Sequence, residues 1–146
     1  MKSTKSQIQA NLRSILENTL EEARREYLLA KESRDSDTKS SAGDKFETGR
    51  EMMQREMDKL SALVDNTLNS IAKLDRIADL PASTIISEGS LVETDHDTYY
   101  ISIGYGKLEA VYAISIESPL GIELKGKKVG DRVEMRGRII TIKSIL

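Results

Sequence analysis

Two apolar stripes at helical spacing in the first eighty residues constrain this chain most. Ile8, Leu12, Leu16, Leu20, Ala23, Tyr27 and Ala30 recur at intervals of three and four. Met53, Met57, Leu60, Val64, Leu68, Ile71 and Leu74 repeat the pattern. Such spacing places each set on one face of an α-helix. Arg55, Glu56, Asp58, Lys59, Asp65 and Lys73 occupy the other faces of the second helix. One narrow stripe per helix calls for one partner and not for an enclosing core. Residues 32–43 between them are polar without an apolar period, and a connection this short favours an antiparallel coiled-coil hairpin. Thr4 with Gln7 is a capping box for the first helix, and Asp44 with Glu47 has the same form for the second. A first helix of about 28 residues is roughly 42 Å long at 1.5 Å per residue.

The composition changes at Pro81. Residues 1–80 hold no proline and two of the nine glycines, whereas 81–146 hold both prolines and four of the six aromatics. Pro81 ends the second helix, because proline cannot continue the backbone ladder. The chain therefore divides into a hairpin, 1–80, with a polar and acidic tip near 33–46, and a small domain, 81–146. In that domain, β-prone runs at 84–86, 90–92, 99–103, 132–135 and 139–142 are separated by turn residues. Leu108, Ala110, Tyr112, Ile114 and Ile116 alternate as in a pleated strand. Ser118 suits a helix N-cap, Pro119 the first helical position and Gly126 the C′ position, so one or two helical turns cover the sheet. The fold class is α+β: a helical hairpin, then a small antiparallel sheet with a short helix.

Several function classes are excluded or weakened. Lys and Arg total 22 against 24 Asp and Glu, which is not the basic excess of a blanket phosphate binder. With no cysteine there is neither a disulfide framework nor a thiolate site. His96, between Asp95 and Asp97, is the only histidine, too few donors for zinc and no base for a nucleophile triad. No glycine-rich loop follows a strand and opens a helix. Lys125, Lys127 and Lys128 read as a solvated turn or as a contact for an acidic partner. No apolar run approaches the ~18 residues of a membrane span, and the first residues show no signal-peptide core. The expectation is a soluble cytoplasmic protein with no membrane contact and no enzyme activity of its own.

Asp35, Asp37, Asp44 and Glu47 gather four carboxylates around the hairpin connection. Exposed carboxylates supply oxygen ligands to a hard cation such as Mg²⁺, above all one already held by another molecule. Helix capping and solvation account for the same residues, so both readings stand.

Residues 114–121, Ile-Ser-Ile-Glu-Ser-Pro-Leu-Gly, and 126–133, Gly-Lys-Lys-Val-Gly-Asp-Arg-Val, follow the helical hairpin in this order. The arrangement resembles the Gre transcript-cleavage factors, bacterial transcription elongation factors, and the likeness covers nearly the whole chain. Gly89, Ser90, Leu91 and Val92 also look like the family. The resemblance implies an FKBP-like C-terminal domain that binds RNA polymerase at the secondary channel, with Ser118, Pro119, Leu120 and Gly121 as partner-binding residues. It implies a monomer working on the DNA-bound transcription complex, whose coiled-coil tip meets the nascent RNA 3′ end indirectly. Tip acids would share Mg²⁺ with the polymerase, and no cofactor belongs to the factor itself. Aligning the family's tip aromatic with Phe46 puts its two acidic positions on Lys39 and Ala42, so Asp37 and Asp44 are the substitutes. Two other readings stand beside cleavage: a secondary-channel regulator that does not cleave, and a scaffold or binding module unrelated to transcription.

Overall fold

The computed structural model of the chain describes residues 4–36 and 43–146, with side chains from residue 47 onward in the second stretch. Helix α1 runs Lys5–Ser36 and α2 Gly43–Ala78. The Thr4 capping box forms in both directions: the Gln7 amide donates to Thr4 Oγ1 (3.2 Å), and the Thr4 amide donates to Gln7 Oε1 (2.9 Å). Two donors that helix formation leaves unpaired are thereby satisfied. Helix α2 begins at Gly43, so the Asp44 backbone lies in its first turn and is not the N-cap that the spacing to Glu47 predicts. The helix stops three residues before Pro81, through hydrogen bonds from Asp79 to Arg76 and from Leu80 to Ile77.

By contacts the chain forms two compact units, Met1–Leu12 with Ala72–Leu146, and Arg13–Ile71. The compositional change at Pro81 and the edge of the first unit are thus different places. In the second unit the helices are antiparallel, with Arg34 Nη1 donating to Gln54 Oε1 at 2.8 Å. Leu16, Ala23 and Ala30 are buried at intervals of seven on α1, as are Leu60 and Thr67 on α2, with Met57 and Ile71 beside them. The sequence stripe places Leu68 in this seam, but Thr67 occupies it and Leu68 is 40% exposed. A seven-residue repeat follows the seam of two helices more closely than a 3.6-residue face does, and from Leu60 it leads to position 67. The Thr67 hydroxyl donates to the Leu63 carbonyl at 2.7 Å, so its burial leaves no unpaired group.

The first unit is built on a six-stranded sheet: β1 Leu91–Thr94, β2 Thr98–Ile101, β3 Gly106–Leu108, β4 Val111–Ile114, β5 Arg132–Met135 and β6 Arg138–Ile145. The spatial order is β3-β4-β2-β1-β6-β5. The expected all-antiparallel sheet needs one correction, because β2 and β4 are parallel. After β2 the chain swings out through β3 at the edge, and a hairpin inserts β4 between them. That hairpin also breaks the single alternating run expected over residues 108–116. The chain reverses at Glu109 and Ala110, where Glu109 takes a positive φ of 56°, and the burial pattern restarts on Val111 and Ala113.

Both sheet faces are covered. Val92, Tyr99, Ile101, Val133 and Ile142 form a core with Ile86 and with Leu124 of α3, Pro119–Leu124. Tyr112, Ile114, Ile116 and Leu120 close its rim, and the Tyr99 and Tyr112 rings lie 6.0 Å apart. Next to the other face, Gln7, Ile8 and Asn11 border a groove shared with Leu91 and Val111. Leu12 and Leu74 are fully buried, and Gln9 Nε2 donates to the Leu74 carbonyl at 3.4 Å. Gly89, at φ +93°, passes Ile77 where an added Cβ would lie 3.5 Å from its side chain.

Candidate functional site

The predicted partner-binding residues form a close-fitted corner. Ser118 is the N-cap of α3, accepting the Gly121 amide at 3.0 Å and donating to the Ser115 carbonyl at 2.6 Å. Pro119 takes the first helical position, as its fixed φ and missing N–H suit. Gly121 is buried because backbone passes against it: an added Cβ would lie 2.2 Å from the Ser115 oxygen. The helix ends as its sequence predicts, with Gly126 at φ +81° one residue beyond the C-cap and its amide donating to Ile86. Three of the four motif residues therefore have evident structural work. Ser118→Ala is expected to lower stability by about 1 kcal/mol, the usual value of an N-cap, as read from a urea melt.

Pro119 and Leu120 also wall a groove of about 510 Å³ with Ser118, Tyr99, Ile114, Met135, Arg136, Arg138 and Ile140. The register explains it. Val133 pairs with Ile140 and Met135 with Arg138, so these four side chains share the face that carries the core. Val133 and Ile140 are buried in that face, whereas Met135 and Arg138 continue it past the core rim. Glu134 and Ile139, the pair between, point to the opposite face. The strands are joined by Arg136 and Gly137, both at positive φ (54° and 77°), a two-residue type I′ turn. Beside the groove the pKa of the Tyr99 hydroxyl is raised, first by burial and then by the Asp97 charge. Sequence reading puts turn residues between the runs 132–135 and 139–142 but does not single out the arginines, whose positions at the groove appear only once β5 and β6 are paired.

No family model matches the chain, and no curated protein does.

At the hairpin connection, Asp37 and the Asp44 side chain lie outside the described residues, as do Lys39 and Ala42. Asp35 and Glu47 are described, and both are exposed. Asp35 is held by its neighbour, with Arg34 Nη2 at 3.1 Å from its carboxylate. Arg34 also reaches Gln54 on α2, whose Nε2 donates to Asp58 at 3.0 Å. This chain of polar contacts fixes a half-buried guanidinium across the two helices. Sequence reading does not single out Arg34, since nothing local points to Gln54. Among the described residues no three acids or histidines gather as a metal site.

His96 belongs to the β1–β2 turn and not to a ligand cluster. Thr94 Oγ1 accepts the amides of His96 and Asp97, and the Asp95 carboxylate accepts the Thr141 amide at 2.9 Å. That bond is the first cause of the lowered Asp95 pKa. Among the described residues no helix is long and apolar enough to cross a membrane.

Proposed function

We propose that this chain is a Gre-like transcription elongation factor that binds RNA polymerase at the secondary channel and brings its hairpin connection to the catalytic centre. In this reading the helix pair is a coiled coil, and the sheet with α3 is an FKBP-like module that grips the enzyme through residues 118–121. The observation that carries it is the joint presence of two features. One is a seam of sevenfold burial along helices of 32 and 36 residues, about 48 and 54 Å long. The other is the Ser118, Pro119 and Gly121 corner with its close backbone approach.

The factor contributes oxygen ligands and no catalysis of its own. Carboxylates are the donor class that Mg²⁺ accepts, and a second ion in the polymerase site would steady charge during hydrolysis of a backtracked transcript. Asp37 and Asp44 are the donors of choice, because Asp35 is already paired with Arg34. Incubated with a backtracked elongation complex and Mg²⁺, the protein is expected to release short 3′ RNA products. Asp37→Asn with Asp44→Asn is expected to reduce that release about a hundredfold or more, as loss of both contributed ligands implies. No shortening at saturating protein would reject cleavage.

The pairing of Asp35 with Arg34 favours a second reading, a secondary-channel regulator that does not cleave. It predicts displacement of an authentic cleavage factor from polymerase without any RNA products.

A further inference from the structure

We infer that the groove between the first turns of α1 and the sheet is a binding site for a small organic cation, an apolar body carrying one protonated amine. The groove lies on the sheet face opposite α3 and the 118–121 corner, so the inference stands apart from the polymerase reading.

Strand pairing builds its floor. Glu93 pairs with Ser144 on β6 and with Thr98 on β2, and Thr98 pairs with Val111 on β4. Paired residues share a face, so these four side chains form one row across four strands, about 14 Å long at the usual strand spacing. Gln7, Ile8 and Asn11 of α1 wall the row, and the β3–β4 turn closes one end. The enclosed volume of about 770 Å³ is within the range of small-molecule sites and falls wholly inside the sheet-bearing unit.

Three observations give the occupant its chemistry. Ile8, Leu91, Leu108 and Val111 line the groove and are themselves buried, which provides an apolar surface for the body. Glu93 and Glu109 are the charged groups among the described lining residues, and both are acidic. Lys5 meets the end away from Glu109, its ammonium donating to the Leu146 carbonyl at 3.3 Å. Glu109 is exposed and has no ion pair among the described residues. An apolar floor with an unneutralised carboxylate at one end complements a cation on an apolar body.

The third observation is Tyr100. It is fully buried, and its hydroxyl has no hydrogen-bond partner among the described residues. By register it stands on the groove's face, opposite Leu91 and two residues beyond Thr98. Buried hydroxyls in native structures are paired with protein, water or ligand. A polar atom of the occupant is the partner that this layer offers it.

The chain holds no tryptophan, so indole fluorescence reports an indole ligand alone. Tryptamine, tryptophol and indole-3-propionate share one body and differ in charge, and each is titrated into the full-length protein at low salt by fluorescence anisotropy. Tryptamine is expected to bind roughly tenfold more tightly than tryptophol, with indole-3-propionate weakest, and to lose that advantage as salt rises. In the isotope-labelled protein it is expected to shift the amide signals of Asn11, Thr98 and Ser144. Glu109 takes the first position of a two-residue turn at φ +56°, where glycine is favoured, so Glu109→Gly removes the carboxylate and keeps the turn. This variant is expected to weaken tryptamine roughly fivefold and leave tryptophol unchanged, whereas a merely structural effect would move both. Tyr100→Phe is expected to weaken both roughly threefold while the melting temperature holds or rises. The assignment is overturned if tryptamine does not bind, shifts signals elsewhere, binds no better than tryptophol, or binds both variants as tightly as the parent. It is also overturned if acetyl-Leu-Lys-Leu-amide displaces tryptamine at lower concentration than tryptamine itself requires, which would make the groove a peptide site.

Discussion

Gly121→Val is expected to destabilise the sheet-bearing unit by roughly 3 kcal/mol or more, among the largest effects of any single substitution. The cause is backbone and not side-chain crowding. A Cβ at position 121 meets the Ser115 oxygen at 2.2 Å and the Ile116 Cα at 2.8 Å, neither of which is a side chain that can rotate away. Relief requires α3 to lift from segment 115–116, which would break the hydrogen bond from Ser118 to the Ser115 carbonyl. Leu124 would then leave a core in which it is fully buried. A denaturant melt followed by near-ultraviolet tyrosine signal reports this unit, since Tyr99, Tyr100, Tyr105 and Tyr112 lie in it. Gly126 offers the contrast. An added Cβ there meets nothing within 4 Å, so Gly126→Ala is strained only by its φ of +81° and is expected to cost about 1 kcal/mol.

In the helix pair, Leu60→Ala is expected to cost about 3 kcal/mol and Leu68→Ala less than about 1 kcal/mol. Leu60 is 5% exposed in the seam and Leu68 is 40% exposed beside it. Truncating the first removes buried methyl groups and leaves a cavity, whereas truncating the second removes side chain that water already touches. Circular dichroism at 222 nm follows the melt of both variants. Equal costs would show that the seam does not run through Thr67.

What the sequence makes legible follows how local the chemistry is. The Thr4 and Gln7 box and the cap of α3 by Ser118 and Pro119 involve neighbours within four residues, and both form as their spacing predicts. The helical stripes are legible too, because burial on one face imposes a period. Their refinement is not: Thr67 replaces Leu68 because the seam's sevenfold repeat overrides hydrophobicity at that position. The sheet is less legible. The reversal at Glu109 uses a residue without turn preference, so an alternating run conceals a hairpin, and the parallel pairing of β2 with β4 depends on that reversal. The groove is hidden for the same reason, since Tyr99, Leu120 and Arg138 come together only through topology. Likewise, no rule of spacing joins Arg34 to Gln54, twenty residues on.

We propose that the hairpin connection reaches the RNA 3′ end inside a polymerase. The most direct measurement places a photoreactive amino acid at position 40, in place of Ser40, and irradiates the protein bound to a backtracked elongation complex with a labelled transcript. A crosslink to the 3′-terminal nucleotides or to the polymerase residues that hold the catalytic Mg²⁺ is expected. Crosslinks confined to the outer surface of the enzyme, or none at saturating protein, would contradict it.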